Sequence, residues 1–384
     1  MKSRFFLNRS ISQSEEGLPP ACASLAFHRR FPGYEATPLI DVPELAKLLG
    51  IKQVLVKNES CRFDLPAFKI LGASWAVYRA LETRAPSPGL SLETWSTIEE
   101  LADRLAPLKP LTLATATDGN HGRAVAHVAA LLGFGARIFV PAGTAQARID
   151  AITGEGAAVE VVDGTYEDAV ARAAREANAR CLVISDTSWP GYEEIPHWIV
   201  EGYSTILWEI EDELVRRGEP DPDILAVQFG VGALAAAVAR HYQHAPPGQR
   251  PKILSVEPLH AACMLAAMEA GEIVTVPGPH DSIMAGLNCG RVSIVAWPIV
   301  STGIDAFIAV EDEPAREAMR ALARAGIVAG ETGAAGLAGL IEVMTGVGNA
   351  DRRAALGINE SSRAMLIVTE GATDPQSYRS IVGG

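Results

Sequence analysis

Residues Asn58 to Ser74 read Asn-Glu-Ser-Cys-Arg-Phe-Asp-Leu-Pro-Ala-Phe-Lys-Ile-Leu-Gly-Ala-Ser, with one lysine, Lys69, in mostly apolar company. A lysine amine becomes a useful nucleophile when partial desolvation or a nearby cation lowers its pKa, and Ala67, Phe68, Ile70 and Leu71 offer apolar surroundings of that kind. Taken alone, the stretch suits equally a lysine at a helix start whose ammonium reaches water. A second stretch breaks the tie. Thr115 to Arg123 reads Thr-Ala-Thr-Asp-Gly-Asn-His-Gly-Arg and runs into the helically spaced apolar residues of Ala124 to Leu132.

Together the two stretches resemble the fold type II, pyridoxal-phosphate-dependent family. In that family a Phe-Lys-x-Arg/Leu-Gly-Ala segment carries the lysine that bonds the cofactor, and a Ser/Thr-x-Gly-Asn-His-Gly loop holds the substrate carboxylate and the cofactor ring oxygen. Phe68-Lys69-Ile70-Leu71-Gly72-Ala73 and Thr117-Asp118-Gly119-Asn120-His121-Gly122 stand in those places. The resemblance is more specific to the diaminopropionate ammonia-lyases, which have Arg-Phe-x-Leu-x-Ala-Phe-Lys around the lysine, an aspartate inside the Gly-Asn-His loop and a later Asp-Thr-x-Trp-x-Gly-Tyr block. Arg62 to Lys69, Asp118 and Asp186 to Tyr192 reproduce all three, and Phe229 to Leu234, Ser282 to Gly290 and Thr369 to Asp374 match as well. The resemblance implies an α/β fold of two lobes, parallel-type sheets flanked by helices as in the tryptophan synthase β-like enzymes. It also implies pyridoxal 5'-phosphate as cofactor, a small amino acid as substrate and a homodimer.

Composition is compatible with small-molecule chemistry. The 384 residues are 48% apolar, enough for a large core, and 33 basic against 46 acidic residues leave a charge of −13, which argues against a nucleic-acid or anionic-membrane surface. Cys22, Cys61, Cys181, Cys263 and Cys289 lack the close pairing of zinc or redox motifs, so no metal is expected and reduced intracellular thiols are the default. Cys263 and Cys289 fall inside blocks that match the lyases, where a disulfide or a substrate-adjacent thiol competes with two buried small hydrophobes. Met1 to Gly17 lacks the apolar core of a signal peptide, and no window of membrane-spanning length stays free of charge or histidine, which predicts a cytoplasmic protein.

Residues up to about Pro32 show no periodicity and read as a flexible or surface-wrapping arm. Spacing then predicts a helix over 43–49, a strand over 53–57 and a helix over 70–81 opened by the lysine segment. The Pro/Ser/Gly run Ala85 to Gly89 reads as a crossing between lobes. Strands over 111–114, 136–140, 158–162 and 181–185 alternate with helices, the rhythm of a parallel sheet. A helix over 195–215 leads through the loop Arg216 to Pro222 into a second alternation, with strands over 224–229, 252–257 and 364–369. The predicted division is a large lobe of residues 1–85 and 216–384 and a small lobe of residues 86–215.

Gly230-Val231-Gly232-Ala233-Leu234 follows a predicted strand and opens a helix, so its N–H groups and the helix dipole suit an anion, which the resemblance makes the cofactor phosphate. A dinucleotide fingerprint is the competing reading, but its third glycine is missing. Asn120 can donate to the cofactor ring oxygen, while Thr117, Gly119 and Asn120 can hold a carboxylate; a simple capped turn is the plainer reading, and His121 is read as packing or capping. Asp118 stands where hydroxyamino-acid dehydratases of this fold carry a small residue. A carboxylate beside a substrate carboxylate is unhelpful unless the substrate brings a second cation, as 2,3-diaminopropionate does, and Asp118 can also take the α-proton from the face opposite Lys69. Asp186, just after a strand, is read as a second acid that binds the ammonium and relays a proton, and Trp189, Tyr192 and Trp198 as packing between the lobes. Thr369 resembles the hydroxyl residue that meets the pyridine nitrogen in this fold type. Asp64, Pro66, Asn288 and Arg291 depart from the residues that the resemblance leads one to expect, which bears on substrate scope.

The implied reaction is the α,β-elimination of ammonia from D- and L-2,3-diaminopropionate, giving pyruvate and ammonia, with Lys69, Asp118 and Asp186 catalytic. Loss of another β-substituent, as in a serine, threonine or hydroxyaspartate dehydratase, uses the same parts. A cofactor-binding subunit without turnover is the reading from a different class.

Overall fold

The computed structural model describes residues 3–11, 22–84, 95–245 and 248–383. Among these the strands are β1 (Arg4–Leu7), β2 (Leu39–Asp41), β3 (Gln53–Asn58), β4 (Thr112–Ala116), β5 (Gly135–Pro141), β6 (Ala158–Val162), β7 (Cys181–Val183), β8 (Ile224–Gln228), β9 (Lys252–Pro258), β10 (Ala306–Val310) and β11 (Arg363–Val368). The chain forms two compact units, a larger one of Met1–Ala21, Ala36–Cys61 and Ile206–Gly384 and a smaller one of Cys22–Glu35 and Arg62–Thr205. No described helix is long and apolar enough to cross a membrane.

The larger unit holds a seven-stranded sheet in the order β1-β10-β9-β8-β11-β3-β2. Its five central strands are parallel, and the short edge strands β1 and β2 run antiparallel to their neighbours. Parallel strands covered on both faces need unbroken apolar runs, and β8 and β10 are buried along their whole length. The smaller unit holds a parallel sheet in the order β6-β5-β4-β7. Its chain order reverses between β4 and β7, the place where a doubly wound sheet opens a crevice at its carboxyl edge.

The units divide elsewhere than at residues 85 and 215. The predicted linker Ala85 to Gly89 lies outside the described residues, and the helix that begins with Lys69, Lys69–Arg84, belongs to the smaller unit rather than to the larger. Two glycines account for this. A Cβ on Gly72 would stand 2.5 Å from Tyr203 Cε1, and one on Gly202 would stand 2.4 Å from the Leu71 carbonyl oxygen, so helix Lys69–Arg84 lies in backbone contact with helix Glu194–Arg217. The second division therefore falls inside a continuous helix, where composition leaves no mark. Since a backbone carbonyl cannot yield as a side chain can, Gly202→Ala is expected to destabilise the protein by about 1–3 kcal/mol, measurable by denaturant unfolding.

Among its described residues, the N-terminal region forms regular elements where the sequence suggests an arm. Arg4–Leu7 pairs with β10, and Ala23–His28 is a helix. His28 is fully buried, with Nε2 3.0 Å from the Leu71 carbonyl oxygen and Nδ1 2.8 Å from Thr205 Oγ1. It thereby braces the first turn of the lysine helix against the second long helix. Asp64, unexpected in the sequence, adopts φ +59° beside Phe63 at +52°, within a tight turn closed by paired bonds between Arg62 and Leu65. Aspartate tolerates this left-handed conformation better than most residues, which explains its standing where glycine is commoner.

Candidate active site

In the smaller unit, Lys69 Nζ donates to Asp186 Oδ2 at 2.8 Å. The ammonium also lies 5.6 and 5.9 Å from the ring centroids of Phe68 and Tyr203, within cation–π range. Asp186 Oδ1 accepts from the Tyr166 hydroxyl at 3.1 Å. Burial alone would raise the Asp186 pKa, but the Lys69 ammonium and the Tyr166 hydroxyl hold it below the usual carboxylate range. Asp186 is thus a persistent anion at neutral pH. The Tyr192 hydroxyl fixes the segment before it, accepting from Ser185 N at 2.9 Å and donating to the Val183 carbonyl at 2.8 Å, and Trp189 stacks on the Tyr192 ring at 4.1 Å. These two aromatics, expected to pack between lobes, make these contacts inside the smaller unit.

The loop after β4 is held by its own threonine. Thr117 Oγ1 accepts from Gly119 N at 2.9 Å and Gly122 N at 3.0 Å, which leaves the hydroxyl hydrogen as a donor. A Cβ on Gly122 would meet Thr117 Cγ2 at 2.3 Å, so glycine is required there. Gly119 takes φ +150° as the N-cap of helix Asn120–Leu132, and Asn120 opens that helix. His121 packs as expected: it is buried, and its Nε2 lies 2.7 Å from the Ile184 carbonyl oxygen, to which only a protonated nitrogen can bond. Burial lowers its pKa, so it stays neutral and ties the loop to the segment that carries Asp186.

Asp118 is the anomalous group. Desolvation raises its pKa to about 7, with Arg148 and Lys69 opposing the shift and Asp186 and Glu167 adding to it. Two carboxylates beyond the ends of the adjacent parallel strands β4 and β7 thus differ widely in basicity, an arrangement suited to one holding charge while the other exchanges a proton. Sequence reasoning missed Tyr166 and Arg148, both outside the motif blocks. Arg148 Nη1 donates to the Asp118 carbonyl at 3.1 Å.

In the larger unit, β8 ends into Phe229 and the glycine loop, with helix Ala233–Tyr242 beginning after Gly232. Gly232 is the N-cap at φ +106° and offers no side-chain cap, so the first helical N–H groups keep their capacity for an anion. A Cβ on Gly230 would meet the Gly286 carbonyl at 3.0 Å and Cys289 Sγ at 3.5 Å, while the Val231 carbonyl accepts from Ser293 N at 3.0 Å. Thr369, just past the adjacent strand β11, is buried, and Gln228 Nε2 lies 2.8 Å from its Oγ1. The same nitrogen lies 3.0 and 3.1 Å from the carbonyls of Ile367 and Thr332, which identifies it as the amide donor. The Thr369 hydrogen must therefore go to another acceptor. Within the larger unit an uncapped helix start suits a phosphate and the Thr369 hydroxyl a ring nitrogen; within the smaller unit the Lys69 amine suits an aldehyde; these are the functional groups of pyridoxal phosphate.

Cys263 and Cys289 are buried and not joined in a disulfide, and burial pushes Cys263 well above its ordinary pKa. Asn288 explains its own departure by clasping Ser282, donating to its carbonyl at 2.8 Å and accepting from its N–H at 3.2 Å. Arg291 is exposed and reaches Thr275 Oγ1 at 3.0 Å.

A model of the family "Pyridoxal-phosphate dependent enzyme" matches residues 30–369. Diaminopropionate ammonia-lyase of Salmonella typhimurium is 38% identical over 369 residues, covering 93% of this chain and 90% of that protein. The Escherichia coli diaminopropionate ammonia-lyase in complex with D-serine matches with a TM-score of 0.90 at 35% identity, covering 99% of this chain and 97% of that one. With an aminoacrylate-PLP azomethine reaction intermediate, the E. coli enzyme matches at a TM-score of 0.88, 35% identity and the same coverage.

Proposed function

The chain belongs to the pyridoxal-phosphate-dependent enzymes, and on that premise we propose that it is a carbon–nitrogen lyase that eliminates ammonia from D- and L-2,3-diaminopropionate. With one water, the products are pyruvate and two molecules of ammonia. The observation that carries this reading is the carboxylate pair Asp118 and Asp186 beside Lys69: a substrate with two ammonium groups and one carboxylate suits it better than a hydroxyamino acid does.

Bound pyridoxal phosphate supplies the electron sink that makes the α-proton acidic. Lys69 would hold its aldehyde carbon, the N–H groups of Gly230 to Ala233 its phosphate, Asn120 its ring oxygen and Thr369 its ring nitrogen. Thr117, Gly119 and Asn120 would hold the substrate carboxylate, Asp186 its side-chain ammonium. Lys69 takes the α-proton of the L-isomer and Asp118 that of the D-isomer, and the β-nitrogen leaves as ammonia. We read the assembly as a homodimer acting in the cytoplasm, which light scattering and fractionation would check.

The test is the visible spectrum of the purified protein followed by a pyruvate assay with D- and L-2,3-diaminopropionate, serine and threonine. A cofactor band with pyruvate from both diaminopropionate isomers is expected. A band with turnover of the hydroxyamino acids alone would move the assignment to a dehydratase, and a band with no turnover of any would favour a silent cofactor-binding subunit.

A further inference from the structure

We propose that Arg148 is a positioning residue for Asp118, acting on the D-isomer branch of the reaction; the inference rests on the two-base reading above. Arg148 sits in helix Gln146–Gly154, outside the motif blocks, and makes two kinds of contact with the Asp118 loop. Its Nη1 donates to the Asp118 carbonyl at 3.1 Å. Its aliphatic stem covers Gly119, where a Cβ would lie 3.0 Å from Arg148 Cδ and 3.5 Å from Cγ. The peptide that follows Asp118 is thus held from its carbonyl side and pressed at its next Cα.

The charge of Arg148 matters as well. The main charged groups that act on the Asp118 carboxyl among the described residues are Arg148 from helix Gln146–Gly154, Asp186 from beyond β7, Lys69 from helix Lys69–Arg84 and Glu167 from helix Tyr166–Ala174. Lys69 and Asp186 bond each other at 2.8 Å, so their fields on Asp118 partly cancel. Arg148 is left as the main counter-charge, opposed by Glu167. Without it, a carboxyl already raised to about 7 would be raised further, and less of it would be ionised at neutral pH.

The experiment compares the holoenzyme with Arg148→Ala, Arg148→Lys and Asp118→Asn, measuring kcat for each isomer across pH. Arg148→Ala is expected to lower kcat for the D-isomer by about 10- to 100-fold, the size expected of a misplaced catalytic group, and to move the acid limb of the D-isomer profile to higher pH. The L-isomer should lose far less, about threefold or under, because Gly119, which Arg148 also covers, serves both isomers; its retained turnover also reports folding. Arg148→Lys, which keeps the charge, should return the acid limb toward its original position. Equal loss with both isomers, or an unmoved D-isomer profile, overturns the proposal while leaving the role of Asp118 intact, provided that Asp118→Asn remains D-selective. If Asp118→Asn loses both isomers alike, the two-base reading fails and the proposal with it.

Discussion

Lys69→Ala is expected to remove turnover of both diaminopropionate isomers, by about 10,000-fold or more, beyond the upper range of a single positioned base. The effect should be that large because one amine serves three purposes. It attaches the cofactor, it takes the proton of the L-isomer, and in the absence of cofactor it is the counter-ion of Asp186 at 2.8 Å. The first purpose makes the loss independent of configuration, and the visible band of the lysine-bound cofactor should vanish with it. The third predicts a stability cost of about 1–3 kcal/mol, from leaving a buried acceptor without its donor. Lys69→Arg separates the two effects. It keeps a cation opposite Asp186, so the thermal midpoint should recover, while band and turnover stay lost. Turnover retained by either variant would remove Lys69 from the chemistry.

How far the sequence led depends on what kind of signal each part carries. The alternation from β4 to β7 is legible because short runs rich in apolar residues are separated by segments of helical length; β4 and β7 are largely buried, whereas β6 has no buried residue. Strand β6 is predicted at the residues where it occurs, Ala158–Val162. By contrast, β10 is a five-residue apolar run that periodicity alone cannot tell from buried helix, and with it unrecognised, the four residues of β1 have no partner and read as part of an arm. Lys57, the last residue of the strand predicted over 53–57, is buried against Glu209 at 2.6 Å, a pairing between distant residues that no local pattern announces. The same limit applies to the candidate site. Lys69, Asp118, Asp186 and the glycine loop sit in dense motifs, whereas Arg148, Tyr166 and Gln228 act through tertiary contacts with those motifs and carry no spacing of their own.

Asp118→Asn is expected to lower kcat for D-2,3-diaminopropionate by about 100- to 10,000-fold, the range for loss of a general base, and to spare the L-isomer to within about tenfold. The asymmetry follows from having two bases, since Lys69 can serve only one configuration. The pH profile gives an independent reading of the same group. Asp118 accepts a proton only when ionised, and its pKa stands at about 7 rather than 3.8, so wild-type turnover of the D-isomer should fall by about tenfold per pH unit below that point. The L-isomer profile should lack this limb. Stability moves in the opposite direction. A carboxyl whose pKa is higher in the folded than in the unfolded chain binds protons more tightly when folded, so the contribution of Asp118 to stability falls as pH rises from about 4 to about 7 and does not recover above. The asparagine variant lacks that loss, and its thermal midpoint at pH 8 should equal or exceed that of wild type. A variant that is slower with the D-isomer alone and no less stable would identify Asp118 as a base held ready at the expense of the fold. Equal slowing of both isomers would instead make it a binding group for the second ammonium, because that contact is common to the two configurations.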